Sequence, residues 1–363
     1  MNTNRINRVI ENMKAEGLSQ ILVSTPASVF YLIGSKIGPG ERMLALLIRD
    51  DGTVILHGNR LFALNGNVSV PLVEHDDTDD CIAVLSRDIL PGKLGIDNFW
   101  QSRFTIRLME ARPDVRPVLG SGPVDKARME KGEDEIERMR AASRLNDQVL
   151  ERTMAQLREG MTEAEVGAVY TSIAKELGAQ GCSFPPLICF GANCAEPHHG
   201  TDETVLRKGD SIILDVGVKL GDYCADMTRT VFFGEPTEEM VRVYNLVKAA
   251  NEAGRAAVRP GEPMKNFDRA ARKVIEDGGY GPYFTHRTGH GIGLEVHEYP
   301  DNSAASEIIA QPGMTFSVEP GIYLPGRFGV RVEDLVAVTE TGCETLNALD
   351  WEIKVIGYGE TLG

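Results

Sequence analysis

Four stretches in the second half of the chain have strand-like patterns, residues 211–218, 223–233, 314–318 and 330–339, and the first of them is apolar almost without interruption. Runs of this kind predict buried strands. Between the two pairs the pattern changes to a helical period, near 237–258 and 263–278. Strand pairs and helices in blocks, without strict βαβ alternation, predict an α+β architecture. The first half alternates short elements. Residues 5–17 predict a helix closed by Gly17, and 20–24 a short strand. Residues 43–48 and 53–56 predict a hairpin around Asp50-Asp51-Gly52, 93–96 another strand, and Ser102–Ala111 a helix. This predicts a small α/β domain over residues 1–124 and a larger α+β domain over 125–363. Residues 130–157 have the spacing of one long helix or two. Gly160-Met161-Thr162 breaks it, and Thr162 with Glu165 forms a capping-box signal for the next helix.

The buried strands are interrupted by acids. Asp215 lies inside the first run, and a carboxylate there is costly unless it is paired, hydrogen-bonded or bound to metal. Asp226 lies in the second run, with Gly221 near the midpoint, so an antiparallel hairpin sets the two aspartates nearly side by side. Adjacent carboxylates raise one another's pKa, and a cation removes the conflict. The arrangement recurs with Glu319 and Glu333, whose midpoint is Gly326 in the turn-forming stretch Pro325-Gly326-Arg327. Between the hairpins lies Thr288-Gly289-His290-Gly291-Ile292-Gly293. Its glycines let the backbone pass close to a ligand, with His290 exposed among them. This stretch lacks the preceding strand and following acid of a dinucleotide loop. Four carboxylates and one imidazole suit two hard divalent ions.

Composition narrows the partners. The net charge of −15, from 53 acidic and 38 basic residues, disfavours nucleic acid. The six cysteines form no CxxC pair, which fits reduced thiols. Cys194 lies close to His198 and His199 but lacks a matching Cys/His metal spacing. His57 and His75 stand alone. The first sixteen residues have no apolar core of a secretory leader, and no apolar stretch approaches a membrane span, so no membrane partner and a cytoplasmic location are expected.

Five segments in order carry a resemblance: Leu214-Asp215-Val216-Gly217, Tyr223-Cys224-Ala225-Asp226-Met227-Thr228-Arg229-Thr230, Thr288-Gly289-His290-Gly291-Ile292-Gly293-Leu294-Glu295-Val296-His297-Glu298, Ser317-Val318-Glu319-Pro320-Gly321 and Arg331-Val332-Glu333-Asp334. Across residues 125–355 the chain resembles the pita-bread metallopeptidases: prolidase (Xaa-Pro dipeptidase), aminopeptidase P and, more distantly, methionine aminopeptidase. Its first part is similar to the creatinase/prolidase N-terminal domain.

The resemblance implies a pita-bread fold with a smaller α/β domain before it. It implies two divalent metals, manganese first, with cobalt, iron or zinc as alternatives. Asp215 would chelate one metal, His290 and Glu319 the other, and Asp226 and Glu333 would bridge both. A metal-bridging hydroxide would attack Xaa-Pro bonds in short proline-containing peptides, with Glu319 handling the proton. His198, preferred to His199 by its distance from Asp215, and His297 would hold the substrate carbonyl. Arg331 would support the site or the substrate. A homodimer is also implied.

One departure stands out. Dipeptidase members of this family often carry a basic residue shortly after the second histidine, and here Asp301 stands there. That leaves open an aminopeptidase P acting on longer peptides. A metal-dependent hydrolase of a non-peptide C–N bond shares the scaffold. A non-catalytic binding module on the same fold would be expected to lose ligands, and all five are present.

Overall fold

A computed structural model describes residues 1–64 and 67–357. The chain divides into two compact units, Met1–Arg128 and Met129–Gly363.

The opening helix is Thr3–Ala15. Asn2 caps it by accepting from the Arg5 amide at 3.2 Å, and Gly17 turns the chain with φ +67°. Six strands of the first unit follow: β1 (Gln20–Val23), β2 (Ala45–Arg49), β3 (Val54–Asn59), β4 (Leu72–His75), β5 (Gly92–Ile96) and β6 (Val115–Leu119). They form one mixed sheet in the order β4-β3-β2-β1-β5-β6. The predicted hairpin is β2–β3, with Ala45 opposite His57. The helix Pro26–Ile33 and strand β4 lack a clear signal in the sequence, because both are short and the helix is apolar nearly all round.

His57 is fully buried, and neither ring nitrogen has a hydrogen-bond partner among the described residues. Its Nε2 lies 3.3 Å from Asp88 without hydrogen-bond geometry. Burial pushes its pKa from 6.5 down to about 4, against the raising field of Asp88 and helped by His75. The unfolded chain therefore takes up this proton first as pH falls. The stability that neutral His57 confers is complete above 6.5 and lost as pH drops towards 4, by about 3 kcal/mol across the window. Urea unfolding of the first unit, read by hydrogen exchange of β2 and β3, is expected to show this slope. His57→Gln should flatten it, and an unchanged slope in that variant would assign it to other groups.

The helix Gly122–Met129 is followed in the second unit by the helix Glu133–Met154, so the stretch 130–157 makes one long helix, with 130–132 and 155–157 outside it. The capping box forms: Thr162 Oγ1 accepts from the Glu165 amide at 3.1 Å, and Glu165 accepts from the Thr162 amide at 2.9 Å. This opens Glu163–Glu176. The two later helices are Glu238–Ala257 and Lys265–Asp277. The strands are β7 (Gly181–Cys182), β8 (Leu187–Phe190), β9 (Ser211–Val216), β10 (Val218–Leu220), β11 (Tyr223–Cys224) and β12 (Met227–Phe233). They continue with β13 (Gly289–Gly291), β14 (Glu298–Asn302), β15 (Thr315–Val318), β16 (Gly321–Leu324), β17 (Phe328–Arg331), β18 (Asp334–Val338), β19 (Cys343–Thr345) and β20 (Val355–Ile356). Two sheets frame the unit, β20-β12-β9-β8 and β14-β13-β15-β18-β19.

Every predicted apolar run except 314–318 is split, and the splits fall at or beside the acids. The run 211–218 breaks at Gly217, and 223–233 breaks at Ala225-Asp226. The run 330–339 breaks at Val332-Glu333, while β15 ends just before Glu319. A Cβ at Gly217 would lie 2.0 Å from the Ala225 carbonyl oxygen, so only glycine fits where the arms of the first hairpin cross. The interrupted ladders leave carbonyls to satisfy. Asn146, buried in Glu133–Met154, donates to the Val216 carbonyl at 3.0 Å. Asn251, buried in Glu238–Ala257, donates to the Val318 carbonyl at 2.7 Å. Each of these long helices thus places one amide under one hairpin. No helix among the described residues is long and apolar enough to cross a membrane.

Candidate metal centre

Register decides how the acids meet. In the second hairpin Val318 pairs with Asp334 on one side and Gly321 with Arg331 on the other, which sets Glu319 opposite Glu333. Gly326 at its tip has φ +69°. The first hairpin differs from the sequence expectation. Leu220 pairs with Tyr223, so the turn is Gly221-Asp222, with φ of +57° and +73°. Two consecutive positive φ values match the two-residue turns that suit strand twist. The centre therefore lies half a residue beyond Gly221, and Asp215 faces Thr228. Asp226 is offset by two residues, which keeps it on the same face.

All five predicted ligands line one cleft of about 480 Å³, with His198, His297 and Arg331 also on its wall. Ligand atoms of Asp226, His290 and Glu333 lie within 4.8 Å of one another, and all three residues are buried. His290 Nε2 lies 3.7 Å from Asp226 Oδ2 and 3.4 Å from Glu319 Oε1. Its Nδ1 is 3.1 Å from the Gly291 carbonyl, which only accepts, so Nδ1 carries the hydrogen and Nε2 turns its lone pair to the acids. His290 is 6% exposed, not exposed among glycines as the sequence suggested. Those glycines serve strand packing: a Cβ would lie 1.9 Å from the Ser317 carbonyl at Gly289 and 2.4 Å from the Tyr299 backbone at Gly291.

The acids are in conflict. Burial, then the charges of Glu333, Asp215 and Glu319, hold Asp226 well above the usual carboxylate range. Burial, then Glu319 and Asp215, do the same to Glu333. Burial also raises Glu319. Asp226 Oδ1 is buried with no hydrogen-bond partner among the described residues. An orphaned oxygen among crowded carboxylates and one imidazole lone pair is a donor set that fits divalent cations.

Each acid has a holder. Thr228 Oγ1 donates to Glu333 at 2.7 Å and Ser317 Oγ to Glu319 at 3.0 Å. Arg331, 3% exposed, donates from Nη2 to Asp215 at 2.6 Å, and also to Tyr323, Thr228 and the Pro197 carbonyl. Tyr323 in turn meets His286 Nε2 at 2.8 Å. Arg229 lies under Glu333, donating to its carbonyl at 2.7 Å and to Asp334 at 2.8 Å.

His198 and His297 are exposed on the cleft wall, and the His297 ring packs edge-on to His290 with centroids 4.2 Å apart. Burial, then His290 and Arg287, push His297 down to about 4, so it enters neutral chemistry as an uncharged imidazole. His199 turns away to a second group, with Nε2 3.5 Å from Glu163 and 3.4 Å from Asp202. Cys194 is buried, hydrogen-bonds the Cys189 carbonyl, and has its thiol pushed up to about 12 by burial, which removes it as a nucleophile near neutral pH. The sequence reading missed His286, Tyr323, Arg287, Phe184 and Val296 in this neighbourhood. His286 and Arg287 sit directly before the Thr288–Gly293 stretch, a signal that was available; Phe184 and Tyr323 had none.

The metallopeptidase family M24 matches residues 137–340, and the creatinase/prolidase N-terminal domain matches residues 5–130. An uncharacterized peptidase of Staphylococcus aureus (strain USA300) is 35% identical over 94% of this chain and 98% of its own. A prolidase from Thermococcus sibiricus superposes with a TM-score of 0.93 at 33% identity, over 98% of this chain and 99% of its own. A dipeptidase from Pyrococcus horikoshii OT3 does so with a TM-score of 0.92 at 34% identity, over 97% and 100%.

Proposed function

The chain belongs to metallopeptidase family M24, with the pita-bread fold and a creatinase-type N-terminal domain, and on that footing we propose that it is a two-metal exopeptidase hydrolysing Xaa-Pro bonds in dipeptides. The observation that carries this reading is the buried set Asp226, His290 and Glu333, flanked by Asp215 and Glu319, with one carboxylate oxygen left unpartnered. The names of the similar structures, a prolidase and a dipeptidase, support the substrate class. Asp215 would hold one metal, His290 and Glu319 the other, and Asp226 and Glu333 both. When bound, the two ions would activate a water and neutralise the charge of the acids.

The remaining steps belong to the side chains. His198 and His297 face the cleft and donate to the carbonyl oxygen of the scissile bond as its charge develops. Glu319, whose pKa burial already raises, passes the proton to the leaving nitrogen. The donors of Arg331 are directed to Asp215, Tyr323, Thr228 and Pro197, so we assign it to orienting Asp215 and not, as the resemblance allowed, to binding substrate. The cleft volume suits a small ligand, within about 300–1,000 Å³ for such sites.

The test is hydrolysis of an Xaa-Pro dipeptide beside an Xaa-Pro-Yaa tripeptide, with Mn²⁺ or Co²⁺ loaded and an EDTA control. Metal-dependent preference for the dipeptide is expected. Preference for the tripeptide would make the protein an aminopeptidase P. Failure on both with two metals bound would move the assignment to another C–N bond, and absence of stoichiometric metal would sink the enzymatic reading.

A further inference from the structure

The contacts that take His199 away from the cleft assemble a second donor set. Ligand atoms of Glu163, His199 and Asp202 lie within 4.8 Å of one another. None of the three residues lines the cleft. His199 Nε2 lies 3.5 Å from Glu163 Oε2 and 3.4 Å from Asp202 Oδ2. That nitrogen is buried and has no hydrogen-bond partner among the described residues. Glu163 is wholly buried at the start of the helix Glu163–Glu176, and burial, with the charge of Asp202 adding to it, raises its pKa.

The remaining polar atoms of the three side chains are turned elsewhere. Glu163 Oε1 accepts from the Phe190 amide at 2.8 Å and from the Asn193 side chain at 2.9 Å. Asp202 Oδ1 accepts from the Thr204 amide at 2.7 Å. His199 Nδ1 faces the Glu196 carboxylate at 3.6 Å, whose charge favours the hydrogen on Nδ1 and leaves the Nε2 lone pair toward the two acids. Glu163 Oε2 accepts from the Asp202 amide at 3.1 Å and keeps a second lone pair. One atom of each residue is thus left facing a common point.

The spacing separates two readings of that point. A protonated His199 between the acids would donate a charge-assisted hydrogen bond, at about 2.7–2.9 Å, and neither separation reaches that range. Ligands about 2.1 Å from a tetrahedral ion stand about 3.4 Å apart, which both separations match. The backbone already holds the two sides together: the Ala164 amide donates to the Asp202 carbonyl at 3.0 Å, and the Glu163 amide to the Thr204 carbonyl at 3.1 Å.

We propose that Glu163, His199 and Asp202 form a separate structural site for one Zn²⁺, with water completing the tetrahedron on the solvent side of Asp202. The two carboxylates balance the charge of the ion, and one imidazole with two carboxylate oxygens suits zinc. The ion ties the start of the helix to residues 196–202, the segment that carries His198.

The experiment counts zinc in the full chain with the first centre weakened by Asp226→Asn. This parent, and the parent carrying in addition Asp202→Asn or His199→Gln, are loaded with Zn²⁺, desalted and analysed for metal. Each added substitution is expected to lower the content by one zinc per chain. Zn²⁺ should also raise the melting temperature of the parent more than that of either variant. Metal-free Asp202→Asn should melt with the metal-free parent, because its Oδ1 keeps the Thr204 contact. Equal zinc content with and without Asp202→Asn and His199→Gln would overturn the inference. The readout is a difference that does not depend on how much zinc the first centre retains, so that failure would leave the peptidase reading standing.

Discussion

Asp226→Asn is expected to reduce hydrolysis by about 10³-fold or more, some 4 kcal/mol of barrier, while the metal-free protein stays as stable as wild type or becomes more so. The two effects have one origin. Asp226 is buried among Glu333, Asp215 and Glu319, and burial with those charges holds its pKa well above the ordinary range. Without cations that charge is a liability, and the asparagine removes it with little change of shape. With cations it is the carboxylate proposed to touch both ions. Binding stabilises the native state by about 2.7 kcal/mol at a ligand concentration 100 times Kd. The wild-type melting temperature should therefore rise with added Mn²⁺, and the variant should lose most of that rise. Metal analysis, melting curves with and without Mn²⁺, and turnover together decide the matter. Near-normal turnover with two metals retained would remove Asp226 from the bridging role.

Arg229→Met is expected to destabilise the second unit by about 3–5 kcal/mol, because it strands Asp334 without its main counter-charge. Asp334 is fully buried, and Arg229 is 3% exposed. The guanidinium also donates to the carbonyls of Thr228, Glu333, Leu349 and Asp350. It therefore ties the strand break at Glu333 to β12 and to the segment after β19. Trp351 Nε1 donates to Asp334 at 2.6 Å and Arg255 lies 3.8 Å away, so part of the charge stays compensated and the loss should fall short of unfolding. Urea denaturation measures it. The double variant Arg229→Met with Asp334→Leu should recover part of the loss, since no unpaired charge then remains. A single-variant loss under about 1 kcal/mol would mean that Arg229 is a bystander.

These two residues mark the boundary of what could be read early. Asp226 stood out because an acid within an apolar run contradicts its surroundings. Arg229 lies in the same run as Asp226, yet its counter-charge Asp334 is over 100 positions away and nothing local marks the pair. Asn146 and Asn251 are similar. An asparagine in a helix looks like a surface residue until the helix is seen under a broken strand whose carbonyl needs a donor. The choice of His198 over His199 rested on its distance from Asp215 and the family resemblance, while what His199 does instead needed the fold. His198 lines the cleft, and His199 faces Glu163 and Asp202.

By itself the sequence determined that acids would sit in pairs on hairpin arms with an imidazole between the pairs. Strand periodicity and turn position are local, and register follows from them. For Glu319 and Glu333 the local centre at Gly326 was enough. For Asp215 and Asp226 a turn of two left-handed residues shifted the pairing, which kept the face and changed the partner. Only the tertiary structure decided that both hairpins converge on one cleft, that His290 is buried there with Nε2 turned inward, and that Arg331 and Arg229 brace the acids from below. Those outcomes depend on desolvation and on hydrogen bonds between segments far apart in sequence, and both come into being only when the sheets pack.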